Sequence, residues 1–563
     1  MSHKDKGLLC ILLLLPAFAA AGKEVVAKNT MIVSQGENAS KAGLEIAKKG
    51  GNIIDIATAV TFAISVESPQ STGLGGGGFM LFRLPNSSEI VAVDFREQAP
   101  LKAHRDMYLD AKGEIVPKLS LDGALSVGVP GLVAGIVEIH KKHGKLPLKD
   151  VMAPAIRLAE NGIKVYHDLA VAFADRQDVL RRFPASAKIF LDKDGQPLRE
   201  GNILVQKDLT QTLRVIAAKG RDGFYKGSVA KAIVAANKTY NGFITQQDLD
   251  QYKVAYRTPV QGTYGEYKIY SMPPPSSGGT HVIEMLNILE KFNLKKLGPY
   301  SPQAVHLTAS AMQLAFFDRA KYMGDPDFVE VPVKGLTSKA YADEIRGKIS
   351  PIHATRSEDM RGANPKSYEQ SHTTHFTIVD KSGAFVASTQ TINGWMGSGV
   401  TVEGTGIVLN NEMDDFSAKP GIPNMFGAVG GKENEIAPRK RPLSSMSPTV
   451  AERPGKNLLV LGSPSGTRII TCVMLTLLNR IEYDLPLDQA VGNVRYHHQW
   501  LPDELRVEMP YFEPALEAQL VKMGHKINKQ EIGCKVGTAE LQRNEGIIKG
   551  VADPRGEGLA IGN

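Results

Sequence analysis

Ser371-His372-Thr373-Thr374-His375-Phe376-Thr377-Ile378-Val379-Asp380 is the stretch on which the fold turns. Residues 375–379 and 384–391 are two β-rich runs, and the Asp380-Lys381-Ser382-Gly383 between them is a hairpin signal. Upstream, residues 353–372 are polar, carry Arg356, Asp359, Gly362, Asn364 and Pro365, and show little apolar periodicity; they read as an exposed loop. Thr373 therefore stands where a loop enters a sheet. If the His372–Thr373 bond is cut, Thr373 carries a free α-amine beside its own hydroxyl. An α-amine ordinarily titrates at roughly pH 8 and can accept the hydroxyl proton without any separate histidine. In the intact chain the same hydroxyl could attack the preceding carbonyl in an N-to-O acyl shift. The competing reading of Thr373-Thr374 is an ordinary strand start.

Length and composition set the frame for that hairpin. The 563 residues, 42% hydrophobic and 22% charged, suit two domains or one large folded body. A net charge of +7 is mild for this length, and no Lys/Arg block is interleaved with aromatics, so nucleic acid is not an expected partner. Lys4 and Lys6 precede an apolar run over 8–21 that ends in Ala17-Phe18-Ala19 and Ala19-Ala20-Ala21. That pattern reads as a signal peptide over 1–21 and predicts an exported protein, periplasmic or secreted, with an uncleaved anchor as the alternative. Beyond the leader only Cys472 and Cys534 remain; they could form one bridge or stay as buried thiols. No zinc or haem spacing occurs. Asn38, Asn86 and Asn237 head glycosylation sequons of low specificity.

Along the rest of the chain, residues 31–65 read as short helical patterns broken at Gly50-Gly51. Gly73-Leu74-Gly75-Gly76-Gly77-Gly78 formally matches a dinucleotide fingerprint, but a strand rather than a helix follows it, so close backbone approach is the better explanation. Residues 131–234 are mostly helical in pattern, and further helices are expected over 281–292, 304–322, 467–480, 487–493 and 514–523. Strands flanked by helices without regular βαβ alternation argue for stacked antiparallel sheets covered by helices.

The last third holds several unusual segments in order. Thr389-Gln390-Thr391-Ile392-Asn393 ends the hairpin, Asn410-Asn411-Glu412-Met413-Asp414-Asp415-Phe416 is an acidic turn, and Arg441-Pro442-Leu443-Ser444-Ser445 is hydroxyl-rich. Gly462-Ser463-Pro464-Ser465-Gly466 then leads into a helix, where backbone N–H groups can meet a developing oxyanion. Together with Asp94-Phe95-Arg96-Glu97, Gly324-Asp325-Pro326-Asp327-Phe328 and Arg495-Tyr496-His497-His498-Gln499-Trp500, these segments closely resemble the γ-glutamyltranspeptidase family of the N-terminal nucleophile hydrolase superfamily.

The resemblance implies an α+β fold, a four-layer αββα sandwich of two stacked antiparallel sheets. It implies a precursor that cuts itself at His372-Thr373 into a large subunit (22–372) and a small catalytic subunit (373–563) that remain together as a heterodimer. It gives Thr373 as nucleophile with Thr391 as its hydroxyl partner, and Ser465 and Gly466 as oxyanion donors. Arg96, Ser444 and Ser445 would hold the α-carboxylate of a γ-glutamyl group, and Asn393, Glu412 and Asp415 its α-ammonium; a zwitterionic head needs a guanidinium at one end and carboxylates at the other. Glutathione and other γ-glutamyl compounds are the implied donors, water or an amino acid or dipeptide the acceptor, and no cofactor or metal is needed. The sequence departs from the family at Ser465, where glycine is commoner and a positive φ would not suit serine, and at Phe426 in the lid-like 420–431, where a tyrosine often stands. The alternatives are a related cephalosporin or glutaryl acylase, to which Glu412 and Asp415 are ill suited, and a catalytically silent secreted protein.

Overall fold

The computed structural model describes residues 22–360, 373–510 and 512–563; the leader and His372 lie outside them. The expected hairpin forms, with Thr374–Asp380 antiparallel to Phe385–Thr391, Thr374 opposite Gln390 and Val379 opposite Phe385. Asp380 makes the turn: its carboxylate accepts from the backbone N–H of Ser382 and of Ala384, and Gly383 supplies a φ of +86°.

This hairpin is the middle of a seven-stranded antiparallel sheet in the order Leu559–Gly562, Thr30–Ser34, Thr374–Asp380, Phe385–Thr391, Gly77–Arg83, Val91–Asp94, Ala255–Arg257. A second seven-stranded antiparallel sheet runs Val25–Ala27, Ile547–Ala552, Gly537–Gln542, Asn457–Gly462, Thr449–Arg453, Tyr267–Ser271, Val260–Tyr264. The period of two along the hairpin divides its residues between two cores. Phe376, Ile378 and Val386 pack with Met80 and Phe82 against the helices Glu37–Lys48, Ile53–Glu67 and Leu132–His143. Val379, Phe385 and Ala387 point the other way, into a core shared with Leu459, Leu461 and Ala539 of the second sheet and with the helices Gly278–Leu289, Pro302–Tyr322 and Arg468–Leu477. The result is the expected αββα layering.

Helix Ile53–Glu67 is mostly apolar and buried along its whole length, and it starts from a capping box between Asn52 and Asp55. The expectation of short helical patterns over 31–65 fails at its start, where Thr30–Ser34 is a strand. Its Met-Ile-Val run is too short for periodicity to separate strand from helix, and the long-range pairing with Thr374–Asp380 and Leu559–Gly562 decides it.

The glycine-rich segment serves close approach. A Cβ on Gly75, Gly76 or Gly78 would come within 2.2 Å of Val408 O, 2.0 Å of Thr391 O or 2.5 Å of Thr389 O. Backbone thus crowds directly onto the strand that carries Thr391. Cys472 and Cys534 are joined in a disulfide, the choice their sequence context left open and one suited to an oxidising compartment. Of the sequons, Asn237 is fully buried and closed to a glycan. Among the described residues no helix is long and apolar enough to cross a membrane.

Candidate active site

Hairpin geometry puts the two threonines face to face. Thr373 precedes the first residue of one strand and Thr391 ends the other, so the antiparallel register that pairs Thr374 with Gln390 brings 373 opposite 391. The Thr373 hydroxyl points at Thr391 Oγ1, 3.4 Å away, and Thr391 Oγ1 accepts from the backbone N–H of Asn393 at 2.7 Å. Asn393 sits at φ +73°, a conformation asparagine tolerates better than most residues. Its side-chain amide donates to Asn411 O at 2.9 Å and so ties the hairpin's end to the acidic turn.

That turn, Glu412–Asp415, packs against Arg96, whose guanidinium is essentially excluded from solvent. One guanidinium nitrogen donates to Glu412 Oε1, the other to Asp415 Oδ2 at 2.5 Å, and Nε donates to Pro442 O at 3.2 Å. The guanidinium and carboxylates expected at opposite ends of a zwitterion thus lie in one ion cluster. Glu97, beside it, is fully buried; both its carboxyl oxygens and Glu412 Oε2 have no hydrogen-bond partner. A proton shared between Glu97 and Glu412 would satisfy one oxygen of each. Burial, against the pull of Arg96, pushes the Glu97 carboxyl up to about 7 and raises Glu412 and Asp415 as well. A carboxyl raised in the folded state contributes stability that is fully present below its unfolded value and is lost as pH rises through the folded one. Between pH 5 and 8 the thermal midpoint of Glu97→Gln is therefore expected to fall less than that of the wild type. Parallel midpoint-versus-pH curves for the two proteins would refute the raised carboxyl.

Ser444 and Ser445 are held from behind by the loop that precedes Gly278–Leu289. Ser277 donates to Ser444 O through both its hydroxyl (2.7 Å) and its backbone N–H (2.8 Å). Arg319, absent from the sequence-based set, joins them: it donates through Nε to Ser277 Oγ at 3.0 Å and through a terminal nitrogen to Ser445 Oγ at 3.2 Å. Burial lowers its guanidinium to about 10. Its one local signal is the Asp318-Arg319 charge pair inside the largely apolar helix Pro302–Tyr322.

A small cavity of about 20 Å³ brings Thr373, Thr391, Asn393, Arg96, Glu412, Asp415, Ser444, Ser445 and Gly466 together, with Arg319 and Phe426 also in its wall. Every expected site residue among those described lines it except Ser465, which faces a second, open cavity of about 430 Å³ on the other side of Thr373. Thr373 lines both. The segment 420–431 closes the small cavity: Asn424 donates to Asp415 Oδ1 at 3.1 Å, Met425 N to Asp414 Oδ2 at 3.0 Å, and Gln499 holds Gly427 O at 3.0 Å. Ser465 has a φ of +104° and Gly466 one of +50°, so serine does occupy a left-handed position there. His375 of the H-x-x-H and His497 of the His497-His498 pair each bond neighbouring polar side chains. His375 bonds the hydroxyls of Thr389 and Thr377, and His497 bonds Thr471 and Gln499.

The family model described as Gamma-glutamyltranspeptidase matches residues 39–563. The glutathione hydrolase proenzyme of Escherichia coli strain K12 is 46% identical over 534 residues, covering 94% of this chain and 91% of that protein. Among solved structures, the cephalosporin acylase from Bacillus halodurans superimposes with a TM-score of 0.85 at 27% identity, covering 99% of both chains. The Helicobacter pylori γ-glutamyltranspeptidase structure matches with a TM-score of 0.57 at 42% identity, covering 62% of this chain and 97% of that one. Sequence, fold and the threonine pair at the mouth of a guanidinium–carboxylate pocket agree, and the chain belongs to the γ-glutamyltranspeptidase family.

Proposed function

We propose that this family member is an exported precursor that cleaves its own His372–Thr373 bond and then transfers γ-glutamyl groups from glutathione and related amides. Thr373 Oγ attacks the carbonyl of residue 372; breaking the C–N bond frees the Thr373 amine and leaves an ester on Oγ, and water then cleaves that ester, releasing the carboxylate of residue 372 and regenerating the hydroxyl. In turnover the amine takes the proton of the same hydroxyl as it attacks the γ-amide, and the departing amine receives it. The γ-glutamyl ester on Thr373 is resolved by water or by an amino acid or dipeptide. The threonine pair carries the reading, because it places one hydroxyl at the junction of a closed charged cavity and an open one. The closed side suits the γ-glutamyl head: Arg96, Arg319 and the serines toward its carboxylate, Glu412, Asp415 and Asn393 toward its ammonium. The open side suits the leaving amine and the acceptor.

The backbone N–H groups of 465 and 466 are the donors to the oxyanion, where each such donor contributes about 3 kcal/mol. The small cavity holds about one water, so a γ-glutamyl head enters only when the segment 420–431 moves aside, and with Phe426 in place of a phenol the closed state relies on backbone contacts. Amino-terminal sequencing of the purified protein tests the reading: a fragment beginning Thr373-Thr374-His375-Phe376, together with release of cysteinylglycine from glutathione, is the expected result. An uncut, folded chain would count against it.

A further inference from the structure

We propose that the loop 533–536, tied by the Cys472–Cys534 bond to the helix Arg468–Leu477, holds Ser465 in its left-handed conformation and thereby keeps the N–H groups of 465 and 466 aimed at Thr373. The inference rests on the reading of those two groups as oxyanion donors. It starts from a mismatch between residue and backbone. Ser465 lies at φ +104°, a region that costs a residue with a Cβ and costs glycine little. Something must over-determine that conformation.

The side chain itself makes the restraint. Ser465 Oγ donates to Gly533 O at 2.5 Å, a contact glycine at 465 could not make. That acceptor is fixed. Gly533 is at φ +70°, and the next three residues are each pinned: Cys534 by its disulfide and by Arg495, which donates to Cys534 O at 2.6 Å; Lys535 O by the Gln35 amide at 2.7 Å; Val536 N by Asp553 at 2.7 Å. The other end of the disulfide lies in the helix begun by the nest of backbone N–H groups at 465 and 466, since Arg468 N donates to Ser465 O and Ile469 N to Gly466 O, both at 3.1 Å. Loop, disulfide, helix and nest therefore close a ring: Ser465 to Gly533, Cys534 to Cys472, and back along the helix to Gly466. Both cysteines and Ser465 are buried, so the ring is part of the packed interior. Serine at 465 and the disulfide act as one device, and losing either the Ser465–Gly533 bond or the disulfide leaves a left-handed residue with a Cβ unsupported.

The test uses the processed protein, with rates of γ-glutamyl-4-nitroanilide turnover normalised to the amount of fragment beginning at Thr373. Ser465→Ala keeps the Cβ and removes the brace; Cys472→Ala/Cys534→Ala removes the tie. Each is expected to lower kcat about tenfold with KM within about twofold, the pattern for an interaction made in the transition state. Glycine needs no brace, so S465G is expected to turn over at least about fivefold faster than S465A, and adding S465G to the cysteine pair to raise kcat by a similar factor over the pair alone. Equal rates for S465A and S465G, or no rescue of the cysteine pair, overturn the inference. If the cysteine pair does not fold, the comparison of S465A with S465G decides by itself. Amide exchange over 463–467 separates this inference from the reading beneath it, with at least about tenfold faster exchange expected in S465A. Faster exchange with unchanged kcat would keep the brace and remove the oxyanion role; unchanged exchange removes the brace.

Discussion

Thr373→Ala yields a single uncut chain from the mature amino terminus to Asn563, with no measurable γ-glutamyl transfer, while the thermal midpoint stays close to that of the unprocessed wild type. The backbone and Cβ of Thr373 remain; what goes is one methyl and a hydroxyl whose contact to Thr391 is 3.4 Å long, so the loss costs about 1 kcal/mol in packing. Chemically it removes everything, because the same oxygen is both the attacking group of self-cleavage and the atom that carries the γ-glutamyl ester. Removing a covalent nucleophile lowers turnover by about a thousandfold or more. Thr373→Ser separates the hydroxyl from the rest of the residue: cleavage is expected to persist, more slowly, because the lost methyl no longer sets the hydroxyl's rotamer against the strand. Denaturing electrophoresis with intact mass reads both variants. A T373A protein that still divides at the same bond would place the nucleophile elsewhere and remove the self-processing mechanism.

How much of this arrangement was legible in the chain depends on the range over which each feature is determined. The hairpin was, because alternation and the Asp380–Gly383 turn are local, and a register closed by that turn is enough to set Thr373 against Thr391. The strand Thr30–Ser34 was not, because its partners lie hundreds of residues away and three apolar residues carry no period of their own. The pocket divides in the same way. Arg96 and Glu412 are 316 residues apart, and only the family pattern joined them before the geometry did. Arg319 gave almost no signal, since a charged residue within a helix is usually on the solvent face and this one points inward to Ser277 and Ser445. At Ser465 the sequence raised the right question about positive φ, but its answer lies in Gly533, a residue that nothing in the local sequence connects to it.

Arg96→Lys tests the pocket's charge balance and is expected to raise KM for γ-glutamyl amides by roughly a hundredfold or more, about 3 kcal/mol of lost binding. A guanidinium spans Glu412 and Asp415 with two separate nitrogens while its Nε holds Pro442 O. A single ammonium cannot make that fork. The variant therefore leaves a buried carboxylate uncompensated, and it is also expected to lose stability, since breaking one side of a buried ion pair costs about 3–5 kcal/mol. The two effects come apart in a second background. Glu412→Gln removes one of the stranded charges, so R96K/E412Q should regain much of the thermal midpoint but none of the affinity for γ-glutamyl amides. Substrate choice supplies the sharper readout. If Glu412 and Asp415 receive an α-ammonium, the wild type discriminates strongly against glutaryl amides, which lack it, and R96K/E412Q discriminates less because the ammonium has lost a carboxylate. A wild type that hydrolyses glutaryl and γ-glutamyl amides equally well would instead favour acylase chemistry on this fold, and an Arg96→Lys protein with unchanged KM would show that the buried cluster holds the turn and not the substrate.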